Sequence, residues 1–281
     1  MNPADIVITD GEFARFQEFF YQKTGIVFGD TKRYFVDRRL ADRIVTTKTG
    51  SFADYMTALR FFDPRAEELQ NLINTMTVNE TYFYREEYQF RCLVNAILPE
   101  VTHHRRREEP LQIWSVPCST GEEPYSIALY MLENWHEVDD WDIRILASDI
   151  DTRVLEHARR GIYDARALQN LSPAARMRYF TRTGEASWQI VEDLRNSVEF
   201  RKTNITCTAD MRRYRDMDVI FCRNLLIYFD DASRRRAAEA FYEALRPGGF
   251  VCLGHSESMS RISSLFTVRK FQDAIVYQRP M

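Results

Sequence analysis

Hydrophobic residues in the first hundred positions of the chain recur every three or four residues, which places them on one face of a helix. Phe13 and Phe16 begin the first such series, and the preceding Thr9 and Glu12 have the spacing of a helix capping box. Gly25 follows the series and is a typical helix-ending residue. The same spacing returns further along and predicts helices over 51–63, 68–76 and 88–101. This part of the chain is therefore predicted to be helical.

From Leu111 the pattern changes, because short hydrophobic runs now alternate with helical ones. Strands are predicted over 111–116, 142–147, 197–203, 218–222 and 250–253, and helices over 125–135, 152–160 and 233–245. Strand, helix and strand in this order indicate a parallel sheet with right-handed crossovers. The last two hydrophobic runs, at 266–270 and 274–278, predict an antiparallel pair that closes the sheet.

A smaller element interrupts this alternation between Ile162 and Asn196. The run from Trp188 to Val191 alternates hydrophobic and polar residues with the period of a strand, so a small inserted β-element is predicted. We therefore expect a helical amino-terminal domain at 1–77, a linker and connecting helix at 78–110, and an α/β domain at 111–281 with a β-subdomain inserted at about 162–196. A length of 281 residues agrees with two domains of roughly 150 residues each.

The composition excludes several classes of protein. Of the residues, 45% are hydrophobic and 28% are charged, which is typical of globular proteins and not of disordered or collagen-like chains. The formal net charge is −3, so the whole chain has no positive excess to attract nucleic acid or anionic lipid. No hydrophobic run approaches the roughly 18 residues that span a membrane, and residues 1–12 lack the bases of a secretory signal. We expect no membrane insertion, no nucleic-acid partner and a cytoplasmic location.

The cysteines and histidines do not predict a metal site. The five cysteines are odd in number and form no Cys-x-x-Cys pair, so neither a disulfide framework nor a zinc site is expected. His103 and His104 are adjacent to each other but have no partner at the spacing of metal ligands.

Two loops that follow the first two predicted strands carry residues suited to a nucleotide, and ligands bind at this edge of parallel sheets. The first loop contains Gly121, where the backbone can pass close to a ligand. Asp149 lies at the tip of the second predicted strand, just beyond its hydrophobic run, where an acid can accept both hydroxyls of a ribose. The first loop lacks a full Gly-x-Gly-x-x-Gly, and Glu122 and Glu123 would repel a phosphate. These residues favour an adenosine ligand with a cationic end, such as S-adenosylmethionine.

Two other interpretations of the same loop stay open on these residues alone. A nicotinamide cofactor would also use an acid at the tip of the second strand. Alternatively, Glu122 and Glu123 are solvated side chains that stabilise the dipole at the start of a helix.

Several longer motifs make the chain recognisable. They are Ser119-Thr-Gly-Glu-Glu-Pro-Tyr-Ser126, Ala147-Ser-Asp-Ile-Asp151, Phe221-Cys-Arg-Asn-Leu-Leu-Ile-Tyr-Phe229, Arg246-Pro-Gly-Gly249 and Gly254-His-Ser-Glu257. In order and spacing they resemble the motifs of the bacterial chemotaxis receptor methyltransferases, the CheR family. The segment from Thr77 to Glu86 is similar to that family's linker motif. The resemblance covers nearly the whole chain.

The resemblance implies an α/β fold with a Rossmann-like class I S-adenosylmethionine-dependent methyltransferase domain, a small inserted β-subdomain and a preceding all-helical amino-terminal domain. It implies a protein-glutamate O-methyltransferase that esterifies glutamates of chemoreceptor cytoplasmic domains in chemotaxis adaptation. The cofactor would be S-adenosyl-L-methionine and the product S-adenosyl-L-homocysteine. The acceptor glutamate has a pKa near 4.3 and is ionised at neutral pH, so this reaction requires no general base.

The same resemblance implies roles for individual residues. Cofactor contacts are implied at Asn79, Thr81, Arg85, Glu122, Asp149, Asn204, Ile205, Arg223 and Asn224. Arg85 and Tyr228 fall on the family's proposed catalytic positions. The alternative is structural: Arg85 would form an ion pair in the linker, and Tyr228 would be an aromatic residue of the core.

A basic stripe in the helical part is a candidate surface for docking a receptor. Lys32, Arg39 and Arg43 fall within about 40° of one another on a helical wheel. Between Gly29 and Gly50 the chain has six bases and three acids. A solvated helix face explains this pattern equally well without a partner, whereas the resemblance implies that the helix faces an acidic receptor.

Two further classes of function stay open at this point. One is an S-adenosylmethionine-dependent enzyme that acts on a small molecule or on RNA, although the net charge and the helical prefix argue against RNA. The other is a non-catalytic cofactor-binding sensor or scaffold at receptor arrays. The family's β-subdomain can bind a tethered carboxyl-terminal receptor peptide, but Thr181 to Arg195 is shorter here than in members that do so. Binding of such a peptide is therefore not expected.

Overall fold

The computed structural model describes residues 2–103 and 105–281, so His104 lies outside the described residues. The chain forms two compact units. The first comprises the chain up to Val78 together with Tyr228–Ser233, and the second comprises Asn79–Ile227 and Arg234–Met281. No helix among the described residues is long and hydrophobic enough to cross a membrane.

The first unit is built from four helices, which are α1 (Asp10–Thr24), α2 (Arg33–Thr47), α3 (Phe52–Phe61) and α4 (Glu67–Met76). The predicted capping box is confirmed, since Thr9 and Glu12 each accept a hydrogen bond from the other's backbone N–H. Gly25 ends α1 at φ 74°, a left-handed conformation that glycine adopts without strain. Phe16 and Phe20 are fully buried, which confirms the predicted hydrophobic face of α1.

The second unit begins with the linker and a helical stretch, comprising α5 (Tyr88–Cys92), a π-helical turn (Leu93–Ile97) and α6 (Leu98–His103). Its later helices are α7 (Glu122–Asn134), α8 (Thr152–Arg160), α9 (Pro173–Tyr179), α10 (Glu192–Asn196), α11 (Thr208–Met211) and α12 (Asp231–Ala244). Helix α12 belongs to this unit from Arg234 onward.

Within the described part of the chain, ten strands form two sheets. They are β1 (Leu111–Ser115), β2 (Ile143–Asp149), β3 (Ile162–Asp164), β4 (Phe180–Arg182), β5 (Ser187–Ile190), β6 (Val198–Lys202), β7 (Met217–Cys222), β8 (Leu245–Leu253), β9 (Thr267–Lys270) and β10 (Ile275–Gln278). The large sheet has the order β6-β2-β1-β7-β8-β10-β9. The five strands from β6 to β8 in that order are parallel, and β10 pairs antiparallel with both β8 and β9. The predicted parallel sheet and its closing antiparallel pair are confirmed.

The small sheet has the order β3-β5-β4 and lies in the stretch where an inserted β-element was predicted. Phe83 of the linker packs edge-to-face against Tyr163 of β3 and Phe180 of β4, with ring centroids 4.9 and 5.2 Å away. These contacts attach the small sheet to the linker by buried aromatic rings.

Strand β2 is longer than predicted. The hydrophobic run ends at Ala147, but Ser148 and Asp149 continue to pair with β6, opposite Arg201 and Lys202. Hydrogen bonds along the ladder therefore carry two polar residues to the end of the strand, and Asp149 is held in regular backbone geometry rather than in a loop.

Candidate functional site

The loop after β1 is held against the end of β2. The Val116–Pro117 peptide bond is cis, and the N–H of Cys118 donates to the carbonyl of Ser148 at 2.8 Å. Ser119 then adopts a positive φ of 47°. The loop ends where α7 begins, directly above the carboxyl ends of β1 and β2, which is the edge where ligands bind in such sheets.

Gly121 is needed for packing as well as for its backbone conformation. Its φ is 97°, and a Cβ at this position would lie 2.9 Å from both the Cβ of Ala158 and the Oη of Tyr163. The missing Cβ therefore lets the loop pack closely against α8 and Tyr163, and the close approach of the Gly121 backbone to a ligand stays a prediction. The same Tyr163 hydroxyl donates to the carbonyl of Thr120 at 2.8 Å and fixes the turn.

Asp149 is a buried carboxyl group at the end of β2. One carboxylate oxygen accepts the N–H of Ser119 and the other accepts the N–H of Asp151, each at 2.9 Å. Burial raises its pKa to about 6, although these backbone donors oppose the shift. Next to it, the hydroxyl oxygen of Ser119 is buried and has no hydrogen-bond partner among the described residues. An unpartnered polar atom beside a buried acid is typical of a ligand site.

Glu122 is a second buried acid of this loop. It is only 4% exposed and accepts a hydrogen bond of 2.6 Å from the Thr120 hydroxyl. Burial raises its pKa to about 7, although the start of α7 favours a negative charge. Two carboxyl groups with raised pKa values at one edge of a sheet mark a candidate functional site.

Glu123 faces a different part of the protein from Glu122. It accepts the Ser115 hydroxyl at 2.8 Å and forms an ion pair of 2.9 Å with Arg223. Arg223 also pairs with Glu86 at 3.0 Å and donates to the carbonyl of Arg85 at 2.7 Å. These partners hold both terminal nitrogens of the buried guanidinium, whereas its Nε has no hydrogen-bond partner among the described residues. In the sequence, Glu122 and Glu123 are interpreted together as one acidic pair, whereas in the structure their side chains contact different residues.

The remaining candidates of the second unit follow the carboxyl ends of β6 and β7. Asn224 has a positive φ of 58°, and its N–H donates to Glu257 at 2.8 Å. Asn204 accepts the N–H of Thr206 through its side chain at 3.0 Å, and Ile205 is buried. Since β6, β2, β1 and β7 are parallel neighbours, these residues lie at the same edge as Asp149.

The linker contributes residues to this edge as well. The Asn79 side-chain amide donates to Asp151 at 3.2 Å. Arg85 is half-buried, and one of its guanidinium nitrogens donates to the carbonyl of Glu80 at 2.7 Å. Thr81 lies between them and is half-buried. The linker is thus tied to the loop after β2 by the Asn79 side chain, and to the loop after β7 by the Arg85 carbonyl, which accepts a hydrogen bond from Arg223.

Tyr228 belongs to the first unit, where its carbonyl accepts the N–H of Val27 at 3.0 Å. Its side chain is half-buried rather than buried in a core. The catalytic pairing of Tyr228 with Arg85 stays a prediction.

The three basic residues of the predicted docking stripe differ in their surroundings. Lys32 is exposed and lies in a 3-10 turn (Asp30–Lys32) ahead of α2, not on the helix itself. Arg39 donates to the carbonyl of Thr75 at 2.6 Å, and Arg43 forms two hydrogen bonds with Glu68 of α4. Two of the three charges are therefore held by groups of their own unit, which a helical wheel cannot show.

Two acids of this region had no predicted role. Glu86 pairs with Arg223 and also contacts Nδ1 of His255 at 2.7 Å. Glu257 accepts hydrogen bonds from backbone N–H groups of two different loops. The motif containing His255 and Glu257 was the signal available in the sequence, but it gave no indication of these contacts.

The strand order and the acids at the carboxyl edge define a Rossmann-like domain built for a nucleoside ligand. Comparisons with known proteins identify the family. The chain matches the family models "CheR methyltransferase, all-alpha domain" over residues 11–77 and "CheR methyltransferase, SAM binding domain" over residues 79–275. This chain belongs to the CheR methyltransferase family.

Named relatives extend over almost the whole chain. It is 53% identical to chemotaxis protein methyltransferase 2 of Vibrio cholerae, over 98% of this chain and 95% of the relative. It is 39% identical to chemotaxis protein methyltransferase 2 of Pseudomonas aeruginosa, over 92% and 90% of the two chains. The identity to the chemotaxis protein methyltransferase of Escherichia coli is 37%, over 94% and 90%.

These findings confirm the predicted family, the fold class and S-adenosylmethionine as the cofactor. They also confirm the predicted function as far as S-adenosylmethionine-dependent methylation in chemotaxis. Nothing among them favours the alternative of a non-catalytic sensor or scaffold.

Proposed function

We propose that this chain transfers the methyl group of S-adenosylmethionine to glutamate carboxylates of chemoreceptor cytoplasmic domains, which places its action in the cytoplasm. The products are glutamyl methyl esters and S-adenosylhomocysteine. The observation that carries the proposal is the 53% identity to a chemotaxis protein methyltransferase over 98% of the chain. Because the match includes the helical part as well as the cofactor domain, we extend the proposal to the protein acceptor.

The residues at the carboxyl edge fit the cofactor. The buried Asp149 would hold the ribose hydroxyls, and the unpartnered Ser119 hydroxyl provides a further polar contact. Glu122 suits the cationic part, since its ionised form attracts a sulfonium or ammonium group. When bound, the cofactor supplies a methyl group on a positively charged sulfur. We assign further cofactor contacts to Asn79, Thr81, Arg85, Asn204, Ile205, Arg223 and Asn224.

The acceptor carboxylate needs alignment and exclusion of water rather than deprotonation. We propose that the Arg85 guanidinium orients a carboxylate, since planar guanidinium groups bind carboxylates with defined geometry. We assign to Tyr228 the stabilisation of a nearby positive charge, by its ring or its hydroxyl.

The experiment that tests the proposal is methyl transfer from radiolabelled S-adenosylmethionine to receptor cytoplasmic fragments. Label should enter the receptor and be released by base, because a methyl ester is hydrolysed under these conditions and an N-methyl group is not. Fragments with and without the carboxyl-terminal peptide should be labelled equally, since the proposal includes no tethered peptide. A chain that binds S-adenosylmethionine but leaves a competent receptor unlabelled would support the sensor or scaffold instead.

We propose that Lys32 contributes to docking of the acidic receptor. Lys32→Glu should raise the KM for the receptor roughly threefold to tenfold, because it replaces an exposed attraction by a repulsion of about 1 kcal/mol. Arg43→Glu is unsuitable for this test, since it would place two carboxylates together beside α4. Lys270→Glu, an exposed lysine at the end of β9, is the matched control. Equal KM values for the two variants would contradict docking at Lys32.

Cofactor binding should depend on pH through Glu122 and Asp149. Their pKa values are raised to about 7 and about 6 by burial, so both groups lose charge as the pH falls through this range. Raised carboxyl pKa values mean that ionisation costs folding stability as the pH rises, and a cationic ligand offsets that cost. The dissociation constant for S-adenosylmethionine should therefore fall as the pH rises from about 5.5 to 7, by up to about tenfold per pH unit for each of the two acids that ionises on binding.

Calorimetric titrations across this range measure the effect. Glu122→Gln should make the dependence on pH shallower, because it removes the group with the higher pKa. A dissociation constant that is independent of pH in the unaltered chain would contradict the linkage of cofactor binding to these two acids.

A further inference from the structure

Glu257 binds three backbone N–H groups that belong to two loops of the cofactor edge. Oε2 accepts the N–H of Asn224 at 2.8 Å and the N–H of Gly254 at 2.9 Å, and Oε1 accepts the N–H of Leu226 at 2.7 Å. Hydrogen bonds to an ionised acceptor are roughly twice as strong as those between neutral groups. We propose that Glu257 is a positioning residue, which holds Asn224 and the segment after β7 in the geometry that binds S-adenosylmethionine.

The segment after β7 requires such a support. Asn224 lies directly after the strand at a φ of 58°, a region that costs free energy for residues with a side chain. A left-handed residue redirects the chain, and the N–H groups of Asn224 and Leu226 lie beyond the end of β7 and outside its sheet ladder. Without an acceptor, these donors at the edge of the site would be unpaired, at a cost of free energy. Glu257 supplies one carboxylate for both Asn224 and Leu226.

The loop after β8 is shaped to present that carboxylate. The N–H of Glu257 donates to the carbonyl of Gly254 at 2.9 Å, which closes a tight turn after β8. A Cβ at Gly254 would lie 2.8 Å from Oε2 of Glu257 and 3.1 Å from the backbone nitrogen of Asn224. A side chain at this position would therefore displace the Glu257 carboxylate and crowd the backbone of Asn224, whereas glycine leaves room for one carboxylate to bridge the two loops.

The same segment is fixed from its other side by Arg223, whose guanidinium is held by Glu86 and Glu123. Side-chain ion pairs thus anchor residue 223, and the carboxylate of Glu257 anchors residues 224 and 226. Glu257 acts through Asn224 and is not itself assigned a contact with the cofactor. The inference rests on the proposed role of Asn224 in binding the cofactor.

The first test is Glu257→Gln, which keeps the size of the side chain but leaves one acceptor oxygen and introduces N–H donors that face backbone donors. We expect the dissociation constant for S-adenosylhomocysteine, measured by calorimetry, to rise about tenfold to 100-fold. Amide hydrogen exchange should accelerate in peptides that cover 222–228 and 252–258 and stay unchanged elsewhere. Glu243→Gln is the matched control, because Glu243 is exposed on α12 of the same unit.

The second test reaches the same contact from its other side. Gly254→Ala leaves Glu257 intact but displaces its carboxylate, so the affinity should fall in the same way. The double variant with Glu257→Gln and Gly254→Ala should bind S-adenosylhomocysteine no more weakly than the weaker-binding single variant, because both changes break the same interaction. Glu257→Asp, which keeps the charge on a shorter side chain, should recover part of the affinity.

A purely structural role predicts different results. If Glu257→Gln lowers the melting temperature but binds S-adenosylhomocysteine within twofold of the unaltered chain, the positioning role is overturned. Additive losses in the double variant would overturn it too. No acceptor is present in these titrations, so a failure of receptor methylation by the unaltered chain would contradict the proposed acceptor and leave the result for Glu257 standing.

Discussion

Replacing Asp149 by asparagine should raise the dissociation constant for S-adenosylmethionine about 100-fold. The carboxylate is the proposed acceptor for the ribose hydroxyls, and hydrogen bonds to a charged group are worth about 1.5–3 kcal/mol each. An amide of the same shape has one acceptor oxygen, whereas the carboxylate of Asp149 already accepts the N–H groups of Ser119 and Asp151. One of these donors would lose its partner, so the loop after β1 should also lose order.

The measurement is a calorimetric titration with S-adenosylmethionine, accompanied by thermal unfolding. The unpaired buried donor should lower the free energy of unfolding by about 1–3 kcal/mol, less the cost of ionising the buried carboxylate, which the neutral amide does not have. Asp139→Asn changes an exposed acid in the same way and should leave both quantities unchanged. A dissociation constant for Asp149→Asn within threefold of the unaltered value would remove Asp149 from the cofactor site.

The sequence predicts those parts of the fold that depend on local patterns. Thr9, Glu12 and Gly25 lie within one helix and its two ends, so their spacing is enough to predict the caps. The order of strands and helices predicts the parallel sheet, because crossover connections have one preferred hand. The end of β2 was predicted two residues too early, since Ser148 and Asp149 stay in the strand through pairing with β6 and not through hydrophobicity.

Within the site, the sequence does not show in which direction each side chain points. Glu122 and Glu123 are neighbours in the sequence, but successive helical residues point about 100° apart. Glu122 therefore faces the loop and Thr120, whereas Glu123 faces Ser115 and Arg223. Adjacent acids in a sequence do not make an acidic pair in a helix.

Contacts between distant segments leave no periodic signal at all. Glu257 binds the N–H of Asn224 across 33 residues, and Arg43 meets Glu68 across 25. Neither contact changes the hydrophobic pattern of its segment, so a motif or a helical wheel can point to the residue but not to its partner. The positioning role of Glu257 and the pairing of Arg43 could be found only in the folded chain.

Arg85→Ala and Tyr228→Phe should each lower the turnover of receptor methylation about 100-fold in a folded protein. The reaction needs alignment of a carboxylate oxygen with the methyl carbon, and misplacement of reacting groups by about 1 Å costs about 100-fold in rate. Arg85 can be replaced with little effect on the fold, because it is half-buried and its guanidinium donates to the nearby carbonyl of Glu80. Single-turnover rates with saturating cofactor and receptor fragment measure the effect on the methyl-transfer step.

Matched substitutions separate catalysis from folding and binding. Arg65→Ala removes an exposed arginine, and Tyr242→Phe removes the hydroxyl of a half-buried tyrosine that packs against Phe266. Both should turn over at the unaltered rate. Arg85→Lys should recover little activity, because an ammonium group keeps the charge but loses the planar donor geometry. Normal turnover in Arg85→Ala or in Tyr228→Phe would return that residue to a structural role, as an ion-pairing residue of the linker or as an aromatic packing residue.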